Sequence, residues 1–241
     1  MRHVVSALAA ALGSFFHPRM LILVIWPLLV ATVLWLGVAI FFWGGWVSSL
    51  TGMLQSTSMQ QWLEQGFMAV AAHYLIGILL ALLLFPVIYM TALLITATFG
   101  MPAMVNHVAK KHYPELEVKK GGSFTGSLWN ALIATFVYCA GWVITLPLWL
   151  ISPFALVLPI ALMAYLNQRL FRYDALYEHA SGEEYGLLIG RISGRLYLLG
   201  AISGLLQLIP LVGFLLPVYV GLAFTHLCLS ELKALRAGAV S

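Results

Sequence analysis

A chain of 241 residues that is 62% hydrophobic and only 8% charged carries more apolar surface than a soluble domain can bury; such domains run at roughly 45–50% and about 25%. Uninterrupted apolar runs such as residues 78–85 lack the alternation of a membrane barrel, which leaves helices as the spanning elements. The net charge of +4 comes from Lys and Arg gathered in a few short stretches, a membrane orientation signal and not a nucleic-acid surface.

Residues 1–17 open with Arg2 and a short apolar run. On a helix, His3, Ser6, Ala10, Gly13 and His17 share one face while Val4, Leu8, Leu12 and Phe15 share another, so the segment reads as an amphipathic helix in the membrane interface. Pro18 and Arg19 precede the first span, 20–43, which has the roughly 20 apolar residues needed to cross a bilayer. Residues 44–66 contain Glu64 and no basic residue, so this loop is expected outside. The second span, 67–99, measures roughly 50 Å as a helix and overfills a hydrocarbon core of about 30 Å. It therefore tilts, kinks at Pro86 or projects into the cytoplasm. Lys110 and Lys111 follow, the first Lys or Arg since Arg19.

Beyond the charged segment 107–120, residues 128–166 form an apolar hairpin broken by Pro147, Pro153 and Pro159. A second charged block, 167–195, leads to a smaller hairpin over 196–229, with Pro210 and Pro217. The basic clusters all fall on one side if both termini are cytoplasmic. Three of the four hairpin legs are only about 20–24 Å long at helical rise, a pattern that suits half-penetrating hairpins around a transport path. Four short but complete spans, with Trp149 anchoring the far interface, fit the same lengths.

The apolar segments lack Asp, Glu, Lys and Arg, so proton pumping through intramembrane charges has no support. Nucleotide-loop, zinc-protease and Cys-cluster patterns are missing as well, so neither an enzyme nor a cofactor is expected. Cys139 and Cys228 read as small buried hydrophobes. His73 and His226 read as interfacial residues. The sharpest polar stretch is Lys119, Lys120, Gly121, Gly122, Ser123 and, past Phe124, Thr125 and Gly126, Ser127. Glycine amides, hydroxyl donors and a following helix N-terminus suit an oxyanion, with the lysines raising its local concentration; helix capping by Ser123 or Ser127 is the alternative. Arg19, Arg169 and Arg172 are further anion contacts or positive-inside anchors. Asn130, Asn167 and Gln207 either line a path or bridge helices.

Phe16-His17-Pro18 followed by Ile25-Trp26-Pro27-Leu28-Leu29 resembles the opening of the CysZ sulfate permease family, with its etoposide-induced-protein-type domain. Ala164-Tyr165, the Arg172-Tyr173-Asp174 loop and the run from Gly200 to Pro217 carry the resemblance through the C-terminal part. It implies a bacterial inner-membrane, multi-pass protein with two long spans and two half-penetrating hairpins. It also implies a homo-oligomer that admits sulfate for cysteine synthesis. The family pattern has paired arginines after the first proline; here the aligned stretch is Arg19-Met20-Leu21-Ile22, with one. A structural or assembly protein without a conducted substrate is the second reading.

Overall fold

The computed structural model describes residues 1–55, 66–150, 152–207, 209 and 215–239. Among these the secondary structure is entirely helical: α1 (Arg2–Phe15), α2 (Pro18–Gln55), α3 (Gly66–Ile95), a π-turn (Thr96–Gly100), α4 (Met101–His112), α5 (Phe124–Thr145), a 3-10 turn (Leu146–Leu150), α6 (Ser152–Leu176), α7 (Gly182–Gln207) and α8 (Leu216–Ala239). Four helical segments are long and apolar enough to cross a membrane, Pro18–Met53, Val70–His112, Phe124–Leu148 and Leu216–Gly238. The protein is thus an all-α, multi-pass integral membrane protein. Glu64, the 210–213 turn and the Trp149 side chain lie outside what is described.

The helices outrun the apolar segments that announce them. The helix of the first span continues past Trp43 to Gln55, because residues 44–55 contain no proline and the Gly44-Gly45 pair alone does not stop a helix. α6 runs through Asn167, Gln168, Arg169 and Arg172 to Leu176, and its 25 residues measure about 37 Å. Arg and Gln are good helix formers, so an apolar run marks where a helix meets lipid and not where it ends.

The chain divides into two compact units, Ile25–Ile95 and the remainder. In the first, the Trp35 indole N–H donates to Thr91 Oγ1 at 2.9 Å and ties α2 to α3. In the second, α8 is the axis. Every residue from Val220 to Leu229 is buried, as expected of a helix that is apolar all round and packed on all sides. α1 lies on α8 through Val4, Ala7, Ala11 and Phe15, with the Tyr219 hydroxyl donating to the Leu8 carbonyl at 3.1 Å. On another face, Gly221 lets α4 in: a Cβ there would fall 2.8 Å from Met104 Cε and 3.1 Å from Met101 Sδ. The hairpin helices α6 and α7 meet at Gly200, where a Cβ would lie 2.5 Å from the Ala164 carbonyl oxygen. α5 stays at the periphery, with Phe124, Leu128, Trp129, Leu132 and Phe136 all more than half exposed, as lipid-facing residues should be.

The glycines of α7 therefore divide sharply. Gly200→Val should force backbone apart and lower detergent-solubilised stability by about 1–3 kcal/mol, read by thermal unfolding. Gly186→Ala, where nothing lies within 4 Å, should be neutral or stabilising by up to about 1 kcal/mol.

Candidate functional site

The Lys119–Ser127 stretch folds into a clasp in which Lys119, the Gly121 and Gly122 amides and Ser127 donate within the protein. The amides of Lys120, Gly121 and Gly122 donate to the carbonyls of Glu178, Ala180 and Tyr177 at 2.8, 3.0 and 3.0 Å. Lys120 itself sits in the left-handed region at φ 49°, which turns the chain into this pairing. Ser123 caps α5, accepting the Gly126 amide at 3.0 Å, and Ser127 donates to the Asp174 carboxylate. Lys119 Nζ is 2.7 Å from Glu184. In this structure carbonyls and carboxylates of 174–184 engage groups that an oxyanion cradle at this stretch would use, and Ser123 takes the capping role.

Glu184 is the centre of the clasp. It receives Lys119 and both Nε and Nη2 of Arg236, each of the latter at 3.0 Å, and its Oε2 accepts the Ser181 amide at 2.9 Å. Ser181 Oγ accepts the Glu184 amide in return, a capping box that starts α7. Hydrogen bonds from Arg236 first, then from Lys119 and the Ser181 amide, hold its carboxyl down at about 2. Asp174 is opposite in character. Burial pushes it up to about 6, and only the Ser127 hydroxyl works against that.

Of the remaining polar residues named from sequence, Asn130, Arg169 and Asn167 bridge helices. Asn130 and Arg169 join α5 to α6 reciprocally: Asn130 Nδ2 donates to the Arg169 carbonyl at 2.9 Å and Arg169 Nε donates to Asn130 Oδ1 at 3.0 Å. Asn167 Nδ2 donates to the Gly200 carbonyl at 3.2 Å across α6 and α7. Arg172 is buried, with Nη1 on Gln168 Oε1 at 2.7 Å and an enclosed Nε that has no partner. Gln207 is half-buried at the end of α7.

Arg19 belongs to a different place. It lies at the start of α2, where the Pro18 ring fits the first helical turn and the His17 carbonyl accepts the Met20 amide at 2.8 Å. There it lines a cleft of about 500 Å³ together with Lys110 and Lys111 from α4. Asn106 and His107 add polar groups, and Met20, Leu23 and Ala103 supply an apolar wall. Among the described residues no carboxylate lines the cleft and none of its three cations forms an ion pair. The rings of His17 and His107 lie 4.6 Å apart, and His107 Nε2 is enclosed without a protein partner. Unopposed cations make an anion-receptive surface. Lys110, Lys111, Asn106 and His107 join Arg19 only through the fold, because 87 or more residues separate them; their one sequence signal is that Lys110-Lys111 is the first basic pair after Arg19.

Helices long enough to span a membrane define a helical integral membrane protein, with a cationic cleft at the start of the first of them. The family profile of the sulfate transporter CysZ/Etoposide-induced protein 2.4 matches residues 7–217, and the chain belongs to that family. No curated protein and no solved structure matches it.

Asp174 yields a pH test. Its folded value lies above the ordinary 3.8, so the fold loses stability as pH rises from about 4 through about 6 and keeps that deficit above. Asp174→Asn should raise thermal stability at pH 8 by on the order of 1–3 kcal/mol and give no gain below 3.8.

Proposed function

We infer that the protein is a permease of the inner bacterial membrane that passes sulfate or a similar small oxyanion down its gradient, feeding sulfur assimilation and cysteine synthesis. Family membership supports the class of activity. The observation that carries the site is the unopposed cluster of Arg19, Lys110 and Lys111 where α2 begins. In this reading the charged ends of the helices and both termini face the cytoplasm, where the positive-inside bias places them. The cleft is then the cytoplasmic anion contact. Two half-penetrating hairpins and a homo-oligomeric assembly complete the pathway.

Charge and desolvation explain why the cleft and not the glycine stretch carries the proposal. An oxyanion at Gly121 or Gly122 must displace three backbone hydrogen bonds and approach Glu184 and Asp174. One at Arg19 meets three cations and no carboxylate. The second reading, a membrane assembly protein with no conducted substrate, draws on the single arginine where the family pattern has two.

Uptake of radiolabelled sulfate into proteoliposomes separates them. Saturable uptake above empty liposomes is expected. Arg19→Gln should lower uptake at subsaturating sulfate by about tenfold, the loss of a charge-assisted contact. Lys120→Gln should leave uptake within about twofold, because only its backbone is engaged in the clasp. Uptake equal to empty liposomes at verified reconstitution removes the permease reading. A loss confined to Lys120→Gln moves the anion back to the glycine stretch.

A further inference from the structure

The cleft beside Arg19 is larger and more apolar than an inorganic oxyanion needs. At about 500 Å³ it falls in the size range of pockets that hold ligands of tens of heavy atoms. Its polar side, with Arg19, Lys110 and Lys111, faces an apolar side of Met20, Leu23 and Ala103. A five-atom anion makes use of the first side only. An amphiphile makes use of both.

Its position fits an amphiphile as well. Arg19 is the last charged residue before the apolar run of α2, so the cleft sits where that run meets the membrane surface. Exposed apolar side chains neighbour it in sequence: Phe16 is 67% exposed and Ile22 58%. Basic pockets at the ends of membrane helices attract anionic head groups, and attraction near the surface is worth about 1 kcal/mol per Lys or Arg.

We propose that the cleft is a binding site for an anionic phospholipid, the phosphate held by Arg19, Lys110 and Lys111 and the glycerol backbone resting against Met20, Leu23 and Ala103. Asn106 supplies a hydrogen-bond partner for the head group. The absence of any carboxylate lining the cleft sets the selectivity: a choline ammonium finds no counter-charge there, whereas a phosphatidylglycerol head group needs none. The site stands without the permease reading. If both hold, the lipid, which uses both sides of the cleft, holds the three cations ahead of a free oxyanion at equal concentration, and anionic lipid content tunes anion access.

The test is native mass spectrometry of the delipidated full-length protein titrated with phosphatidylglycerol or phosphatidylcholine of matched acyl chains. Wild type is compared with Arg19→Gln and with Lys110→Gln. Wild type should prefer phosphatidylglycerol. Each substitution should weaken that lipid by about fivefold and leave phosphatidylcholine unchanged. All three cations have exposed side chains without ion pairs, so the variants should fold, and helicity by circular dichroism verifies it. A third arm adds inorganic phosphate at the lipid concentration, which should leave phosphatidylglycerol occupancy unchanged. Equal binding of the two lipids, variants that bind like wild type, or displacement of the lipid by inorganic phosphate each overturns the proposal. Sulfate flux is not read here, so failure of the lipid site and failure of permeation remain separable.

Discussion

Everything placed in the larger unit depends on α8 being buried on all sides. A helix enclosed from Val220 to Leu229 cannot face lipid itself, so other elements must cover it. α1 does so through an alanine-rich face and α4 through the gap that Gly221 leaves for Met101 and Met104. α6 and α7 cover the rest, closed on each other at Gly200 and Ala164. By fixing the end of α1 and the whole of α4, the axis fixes the two sides of the Arg19 cleft, although no residue of α8 lines it. The cleft is a consequence of packing, and its cations come from segments remote in sequence.

Charge is handled in two contrasting ways. Around Glu184 every group is paired: Lys119, Arg236 and the Ser181 amide converge on one carboxylate, and Arg236 also reaches the carbonyls of Glu117 and His179. Such a network locks the 113–123 connection, the start of α7 and the end of α8 together. Around Arg19, cations gather with no carboxylate among the lining residues described. Paired charge is what a structural clasp requires. Unpaired charge of one sign is what an anionic ligand requires.

Much of the fold was legible in the sequence because lipid imposes a strong one-dimensional signal. The class, the two long spans and the gathering of Lys and Arg follow from composition and run length alone. Helix ends were less legible, since α6 continues through Asn167, Gln168, Arg169 and Arg172 by burying or pairing polar groups against neighbours that a linear reading does not show. Gly121 and Gly122 illustrate the deeper limit. Two glycines after two lysines look the same whether their amides meet an anion or the carbonyls of Ala180 and Tyr177, more than fifty residues away. Arg19 stood out in the sequence as a candidate anion contact, while Lys110 and Lys111, which line the same cleft, read only as an orientation signal.

The central claim is that a bound oxyanion sits in the Arg19 cleft and not on the glycine stretch. Anomalous diffraction from crystals soaked in selenate, which matches sulfate in charge and shape, locates the ion directly. The account predicts an anomalous peak within hydrogen-bond reach of Arg19, Lys110 or Lys111, lost in Arg19→Gln. A peak at the Gly121–Ser127 stretch, or none near Arg19 in crystals that show selenate elsewhere, would contradict it.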